Sequence, residues 1–314
     1  MPRSVIFVMA VLVTAALIVG TIPAYATSIS PGDILVVDED LGVVRHYTNS
    51  GSDLGLFASG LSAPAWIASD QNGNIYVSEY GGAKIDKFSP SGNILLVITT
   101  LYTPGGVAIG SDGSIYVAHY DRGAIHRYSA VGTDLGIFAT YAGCETGCGT
   151  DFIKFDSAGN LYVSDFQPVG RIRLISPTGG DLGNFVVAGG VEGMAFDATG
   201  NLLVSNYLNG IIQMYSPTGE DLGVFAPIGS GFYGLAFDNQ GNLYSSVTNS
   251  GMIEKFSSSG AALGGFGIGG RDLLVVLGGP TTEDECMKGG WTSFGFPRTF
   301  KNQGDCIQFV NTGK

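Results

Sequence analysis

A nine-residue phrase recurs along this chain about every forty residues, and that period restricts the fold more than any other feature. It reads Asp70-Gln-Asn-Gly-Asn-Ile-Tyr-Val-Ser78 in its first full copy. Later copies are Asp156-Ser-Ala-Gly-Asn-Leu-Tyr-Val-Ser164, Asp197-Ala-Thr-Gly-Asn-Leu-Leu-Val-Ser205 and Asp238-Asn-Gln-Gly-Asn-Leu-Tyr-Ser-Ser246. Gly110-Ser-Asp-Gly-Ser-Ile-Tyr-Val-Ala118 is a variant, and Gly32-Asp-Ile-Leu-Val-Val-Asp38 enters the unit midway. The turn glycines Gly32, Gly73, Gly113, Gly159, Gly200 and Gly241 are separated by 41, 40, 46, 41 and 41 residues.

Within each unit an apolar segment such as Gly193-Met-Ala-Phe196 meets the Asp-x-x-Gly-Asn turn. Asn201-Leu-Leu-Val-Ser205 and Ile211-Ile-Gln-Met-Tyr215 follow, then a Ser-Pro-x-Gly turn, then Asp-Leu-Gly-x-Phe. Gly, Pro, Asn and Asp supply the backbone angles that tight turns need, so each unit reads as four short antiparallel strands. Six such units predict an all-β, six-bladed propeller. The first unit lacks its inner strand, and an extra apolar run, Asp272-Leu-Leu-Val-Val-Leu277, follows the sixth. Docking that run beside Ile34-Leu-Val-Val37 would complete the first blade and leave no open edge. The turn carboxylates read as hairpin punctuation, since they lack the length and terminal Glu of a calcium loop.

The segment from Pro64 to Gly92 resembles the NHL repeat. It is also similar to units of the gluconolactonase-like (senescence marker protein-like) superfamily of six-bladed propellers, and the likeness spans about residues 32–279. That architecture hosts lactonases, lyases and plain binding scaffolds, so the resemblance implies a fold and leaves the activity open. The lactonase branch places a metal-binding Glu just before its first Pro-x-Trp segment, where this chain has Ser62, and Asn or Asp at the starts of later inner strands. Asp151 and Glu192 match those later positions, and Ala65, Gly105 and Tyr233 do not. The resemblance therefore implies an incomplete metal set.

Outside the repeats the chain has two further regions. Residues 1–26 have one positive charge, an apolar run from Val5 to Gly20 and a small-x-small site at Ala24 and Ala26, the layout of a signal peptide. A retained anchor is the competing reading. No later stretch is long and apolar enough to span a membrane, so the mature protein is expected to be secreted, periplasmic or extracellular. Residues 280–314 break the period and resemble a short Cys-pair module found at the ends of secreted prokaryotic proteins. In an oxidising compartment the four cysteines read as two disulfides, Cys144–Cys148 and Cys286–Cys306, with other pairings and a four-thiolate zinc site as alternatives. With 15 basic and 27 acidic residues the net charge is −12, which excludes a phosphate-backbone footprint and hence nucleic acid. A monomer is expected.

Propeller geometry gathers the start of each first strand and the end of each second strand at the top opening of the central channel. Read 14 residues apart, these positions are Ala65 with Glu79, Gly105 with His119, Asp151 with Asp165, Glu192 with Asn206, and Tyr233 with Val247. Arg271 with Glu39 is the equivalent in the closing blade and reads as an ion pair. Asp151, Asp165 and Glu192 form a candidate metal set, for which calcium suits the oxygen donors, and His119, Asp165 and Asn206 are candidate ligand-binding groups. Asp151 and Asp165 alternatively form an acid–base pair. The competing reading is solvated strand ends in a wet channel. The excess loop Thr140 to Cys148 leads into Asp151 as a candidate lid. The expected function is an exported scaffold binding a ligand, glycan or protein partner at its top face. The alternatives are a calcium-dependent hydrolase or lyase and a structural protein of the cell envelope.

Overall fold

A computed structural model describes residues 28–141, 149–165, 170–229, 231–247 and 251–277, and every described element is a β-strand. Residues 1–26, expected to be an export signal, all four cysteines, most of the candidate lid and residues 280–314 lie outside the described residues.

Twenty-four strands form six four-stranded antiparallel sheets. The first comprises β1 (Ile34–Asp38), β2 (Val43–Tyr47) and β3 (Asp53–Ser59). The second is β4 (Pro64–Ser69), β5 (Ile75–Glu79), β6 (Lys84–Phe88) and β7 (Ile94–Thr99), and the third is β8 (Pro104–Ile109), β9 (Ile115–His119), β10 (Ala124–Tyr128) and β11 (Asp134–Thr140). The fourth is β12 (Thr150–Phe155), β13 (Leu161–Asp165), β14 (Arg171–Ile175) and β15 (Asp181–Val187). The fifth is β16 (Val191–Phe196), β17 (Leu202–Asn206), β18 (Ile211–Tyr215) and β19 (Asp221–Pro227). The last is β20 (Phe232–Phe237), β21 (Leu243–Val247), β22 (Met252–Phe256) and β23 (Ala262–Phe266), after which β24 (Asp272–Val275) returns to the first sheet. There it pairs antiparallel with β1, Ile34 opposite Val275 and Val37 opposite Asp272, as the sequence predicts. The inner strands β4, β8, β12, β16, β20 and β24 touch in succession, and β24 meets β4, so the ring is closed.

The recurrent phrase explains the blades atom by atom. Asp70 Oδ1 accepts the N–H groups of Asn72 and Asn74, and its Oδ2 accepts the Asn74 amide at 2.8 Å. Asp156, Asp197 and Asp238 repeat this closed turn, so their carboxylates serve the hairpin. The Tyr of the phrase packs edge-to-face on two phenylalanines, one from its own blade and one from the next. Tyr116 meets Phe138 and Phe155, and Tyr162 meets Phe185 and Phe196, with centroids 4.9–5.0 Å apart. The closing Ser bonds the inner strand: Ser164 Oγ accepts the Phe152 N–H and Ser246 Oγ accepts that of Gly234. Inner strands converge so tightly that a Cβ on Gly106 would collide with the Asp151 carbonyl, and one on Gly234 with the Asp272 carboxylate.

Candidate functional site

The inner strands do not pair with their neighbours in the simple register. Thr150, not Asp151, lies opposite Asp165, and regular pairing resumes only at Ile153 opposite Val163. Likewise Val191 opposes Asn206 and Met194 opposes Val204, while Pro104 opposes His119 and Val107 opposes Val117. The recurring irregularity is a β-bulge near the start of five of the six inner strands, β24 being regular, and a bulge re-aims the side chains it contains. A one-residue slip exchanges faces, so Asp151 and Glu192 do not lie directly opposite the second-strand residues expected beside them.

Those second-strand residues brace their own blades. Asp165 is fully buried and receives Arg171 Nε at 2.9 Å and Nη2 at 2.8 Å. His119 is buried against Tyr102 and His126, with ring centroids 5.1 and 4.6 Å away. Burial, reinforced by His126, lowers its pKa to about 4, so it is neutral. Asn206 Oδ1 accepts the Asn209 N–H at 3.1 Å, and Glu79 takes the Ser62 N–H and Lys84. His119, Asp165 and Asn206 thus each have partners within their own blade, and Asp165 also acts electrostatically on Asp151.

Asp151, Glu192 and Arg271 are brought together. Asp151 is 3% exposed, with Arg271 Nη2 3.5 Å from its Oδ1, and Glu192 is 7% exposed. Arg271 also reaches Glu39 at 2.9 Å, as the sequence predicts, and its guanidinium lies 4.9 Å from the centroid of the Trp66 ring. Trp66 continues into Tyr120 at 6.3 Å, and Tyr120 into the exposed Tyr80 at 5.2 Å. Burial pushes the Asp151 carboxyl up to about 7 against the opposing pull of Arg271. Burial, then the neighbouring Asp151 charge, pushes Glu192 up to about 9. Burial also raises the Tyr120 hydroxyl. At neutral pH Glu192 is thus a protonated donor and Asp151 is divided between its two forms. Glu192 Oε2 and Trp66 Nε1 are buried without a hydrogen-bond partner. Two such atoms in one cluster are costly unless something else bonds them.

The aromatic wall escaped the sequence argument, although its signal was present. Tyr80, Tyr120 and Tyr207 each stand one residue beyond a second strand. Alternation aims that position opposite to the bracing residue before it, and the structure uses Tyr80 and Tyr120 in this way.

Among the described residues no group of three or more His, Cys, Asp or Glu side chains could hold a metal ion. Arg271 faces Asp151 as its counter-charge and Asp165 is paired with Arg171, so two of the three carboxylates read as a metal set already have arginine partners.

The site crowns a six-bladed β-propeller of the architecture seen in NHL-repeat and gluconolactonase-like proteins. No protein-family model and no curated protein matches the chain. Among solved structures it is similar to a chain of a nidogen/laminin complex, at TM-score 0.69 and 16% identity, covering 78% of this chain and 98% of that one. It is also similar to a gluconolactonase from Xanthomonas campestris (TM-score 0.60, 19% identity, 79% and 87% covered). A third is the calcium-binding protein regucalcin from Agrobacterium tumefaciens (TM-score 0.56, 14% identity, 66% and 75% covered). At such identities the likeness carries the fold alone.

Proposed function

We propose that this protein is an exported binding propeller whose top face takes a neutral, polyhydroxylated ligand of the glycan class. The observation that carries the reading is the pair of buried atoms without a hydrogen-bond partner, Glu192 Oε2 and Trp66 Nε1, beside the Asp151–Arg271 pair and the Trp66–Tyr120–Tyr80 wall. Hydroxyl groups both donate and accept, so they match a site that mixes a protonated carboxyl, a half-ionised one and a guanidinium. Aromatic rings supply an apolar face for the ring carbons of a sugar. Arg271 is already shared between Asp151 and Glu39, so an anionic ligand would have to displace one of them. Export, expected from residues 1–26, brings such ligands within reach.

The test is a thermal melt of the purified protein against a panel of mono- and oligosaccharides. Ligand at 100 times its Kd stabilises the native state by about 2.7 kcal/mol, and the resulting rise in Tm is lost in Tyr120→Ala and Glu192→Ala. A panel without any shift in Tm removes the reading.

Asp151, with a pKa near 7 beside a protonated Glu192, also meets the requirement for a general base next to a general acid. This keeps a hydrolase or lyase as the second reading. In calcium, magnesium or chelator the melting temperature is expected to stay constant. A calcium-dependent rise abolished by Asp151→Ala with Glu192→Ala would restore the metal-dependent enzyme.

A further inference from the structure

Five of the six outer strands contain a left-handed glycine, four of them with an Asp that caps it, and the sixth has neither. In β3, β11, β15 and β19 an Asp at the strand's start accepts the N–H of the Gly two residues on, at 2.7–3.0 Å. Those glycines, Gly55, Gly136, Gly183 and Gly223, have φ between 88° and 98°, and Gly264 of β23 has φ 105°. Each such strand is therefore kinked by a left-handed residue that only glycine adopts readily. In β7 the register places Ile94 opposite Phe88, where β15 has Asp181 opposite Ile175. It places Leu96 opposite Lys87, where β15 has Gly183 opposite Leu174. The capping Asp and the left-handed Gly have both become aliphatic.

The consequence is a comparatively flat apolar edge. Ile94, Leu95 and Val97 are 61%, 53% and 49% exposed, and Leu101 just beyond the strand is 69% exposed. From Leu96 to Thr99 the pairing with β6 runs without irregularity, so the far side of β7 presents an ordered row of peptide groups. Natural sheets protect such edges with charge, bulges or proline, and β7 has a single bulge, between Ile94 and Leu96, and no charged or proline residue.

We infer that β7 is a docking edge for the β7 strand of a second copy of this chain, the two blades joining antiparallel about a two-fold axis into one eight-stranded sheet. Three observations select a second copy over other strands. An antiparallel strand pair is self-complementary under two-fold symmetry, so a single sequence supplies both halves. The chain carries a charge of −12, and two copies can approach closely only through an uncharged surface such as this. The four exposed aliphatic side chains and one short strand edge make a small contact, at the low end of interface sizes where weak and transient associations fall. The association is therefore weak and reversible, and it departs from the monomer expected from the sequence. The top-face site plays no part in it.

Sedimentation velocity on the protein purified from cells expressing the full chain, across roughly 1–300 µM, tests the inference at the affinity of small transient interfaces. A concentration-dependent dimer is expected, weakened at least about tenfold by Leu95→Lys and by Val97→Lys, because a charge on the edge blocks pairing. Both positions are exposed, and unchanged melting temperatures will show that the variants fold. Ile137→Lys, at an exposed position of the bulged strand β11, is expected to leave the dimer intact. A monomer at every concentration overturns the inference. So does a dimer indifferent to the β7 substitutions, or one lost equally in Ile137→Lys.

Discussion

Glu192→Gln will make this protein more stable, and the gain will grow with pH. In the folded chain Glu192 titrates near 9, because burial and the adjacent Asp151 disfavour its charge, whereas unfolded it titrates near 4.5. Between those values the native state holds a proton that the unfolded state has released. Stability therefore falls as pH rises through this window. At pH 7 the difference is worth roughly 3 kcal/mol, from 1.36 kcal/mol per pKa unit, and at pH 5 it is within about 1 kcal/mol. Glutamine keeps the volume and an acceptor but cannot ionise, so it removes the penalty. For a ring of this size the gain at pH 7 corresponds to roughly 6–12 °C in Tm. Melts of the wild type and the variant at pH 5, 7 and 8 check it, with the curves nearly coincident at pH 5. A variant less stable than wild type, or a gain independent of pH, would show that Glu192 is compensated in the folded state. A buried carboxyl kept at such a cost is expected where function needs it.

Ending the chain at Gly270 will abolish cooperative folding, whereas ending it at Leu277 will preserve it. The seven residues between carry β24, in which Leu273, Val275 and the following Val276 are all buried. Burial of three aliphatic side chains contributes roughly 4–9 kcal/mol, comparable with the whole stability of a typical protein. Loss of β24 also leaves the β1 edge unpaired, and it removes the bond from the Ile67 N–H to Asp272 Oδ2 that ties the closing strand to the second blade. Circular dichroism melts of the two truncations make the comparison. Adding a peptide of residues 271–277 to the shorter one is expected to restore a transition. Indistinguishable melts would mean that the ring does not depend on its clasp.

The fold was legible because its grammar is local. Asp70, Asn74 and their equivalents close each hairpin with atoms four residues apart, and six repetitions make the blade count arithmetic. The closing strand was legible by subtraction, as the inner segment missing from the first unit and surplus after the last. The site was only half legible. Asp151 and Glu192 lie at strand starts as read, but a bulge sets Thr150 and Val191 opposite Asp165 and Asn206 in their place, and the 14-residue spacing alone does not report it. Gly105-Gly106 and Gly193 within inner strands marked it, since glycine inside a strand signals a bulge or a close backbone approach. Arg271 was read as a partner for Glu39 alone, because its proximity to Asp151 and Trp66 exists only once β24 is seated.

Val37 and Asp272 pair across 235 residues of chain, and this governs the order of events during synthesis. Contacts of such separation form late, since the closure entropy of the long loop must be met before they contribute. A growing chain can fold its second to sixth blades as each is completed, but the first remains three strands with the apolar edge Ile34–Val37 open until the final segment emerges. Nascent copies crowded on neighbouring ribosomes share that open edge, so the interval before residue 275 is made is when this protein is most exposed to misassembly.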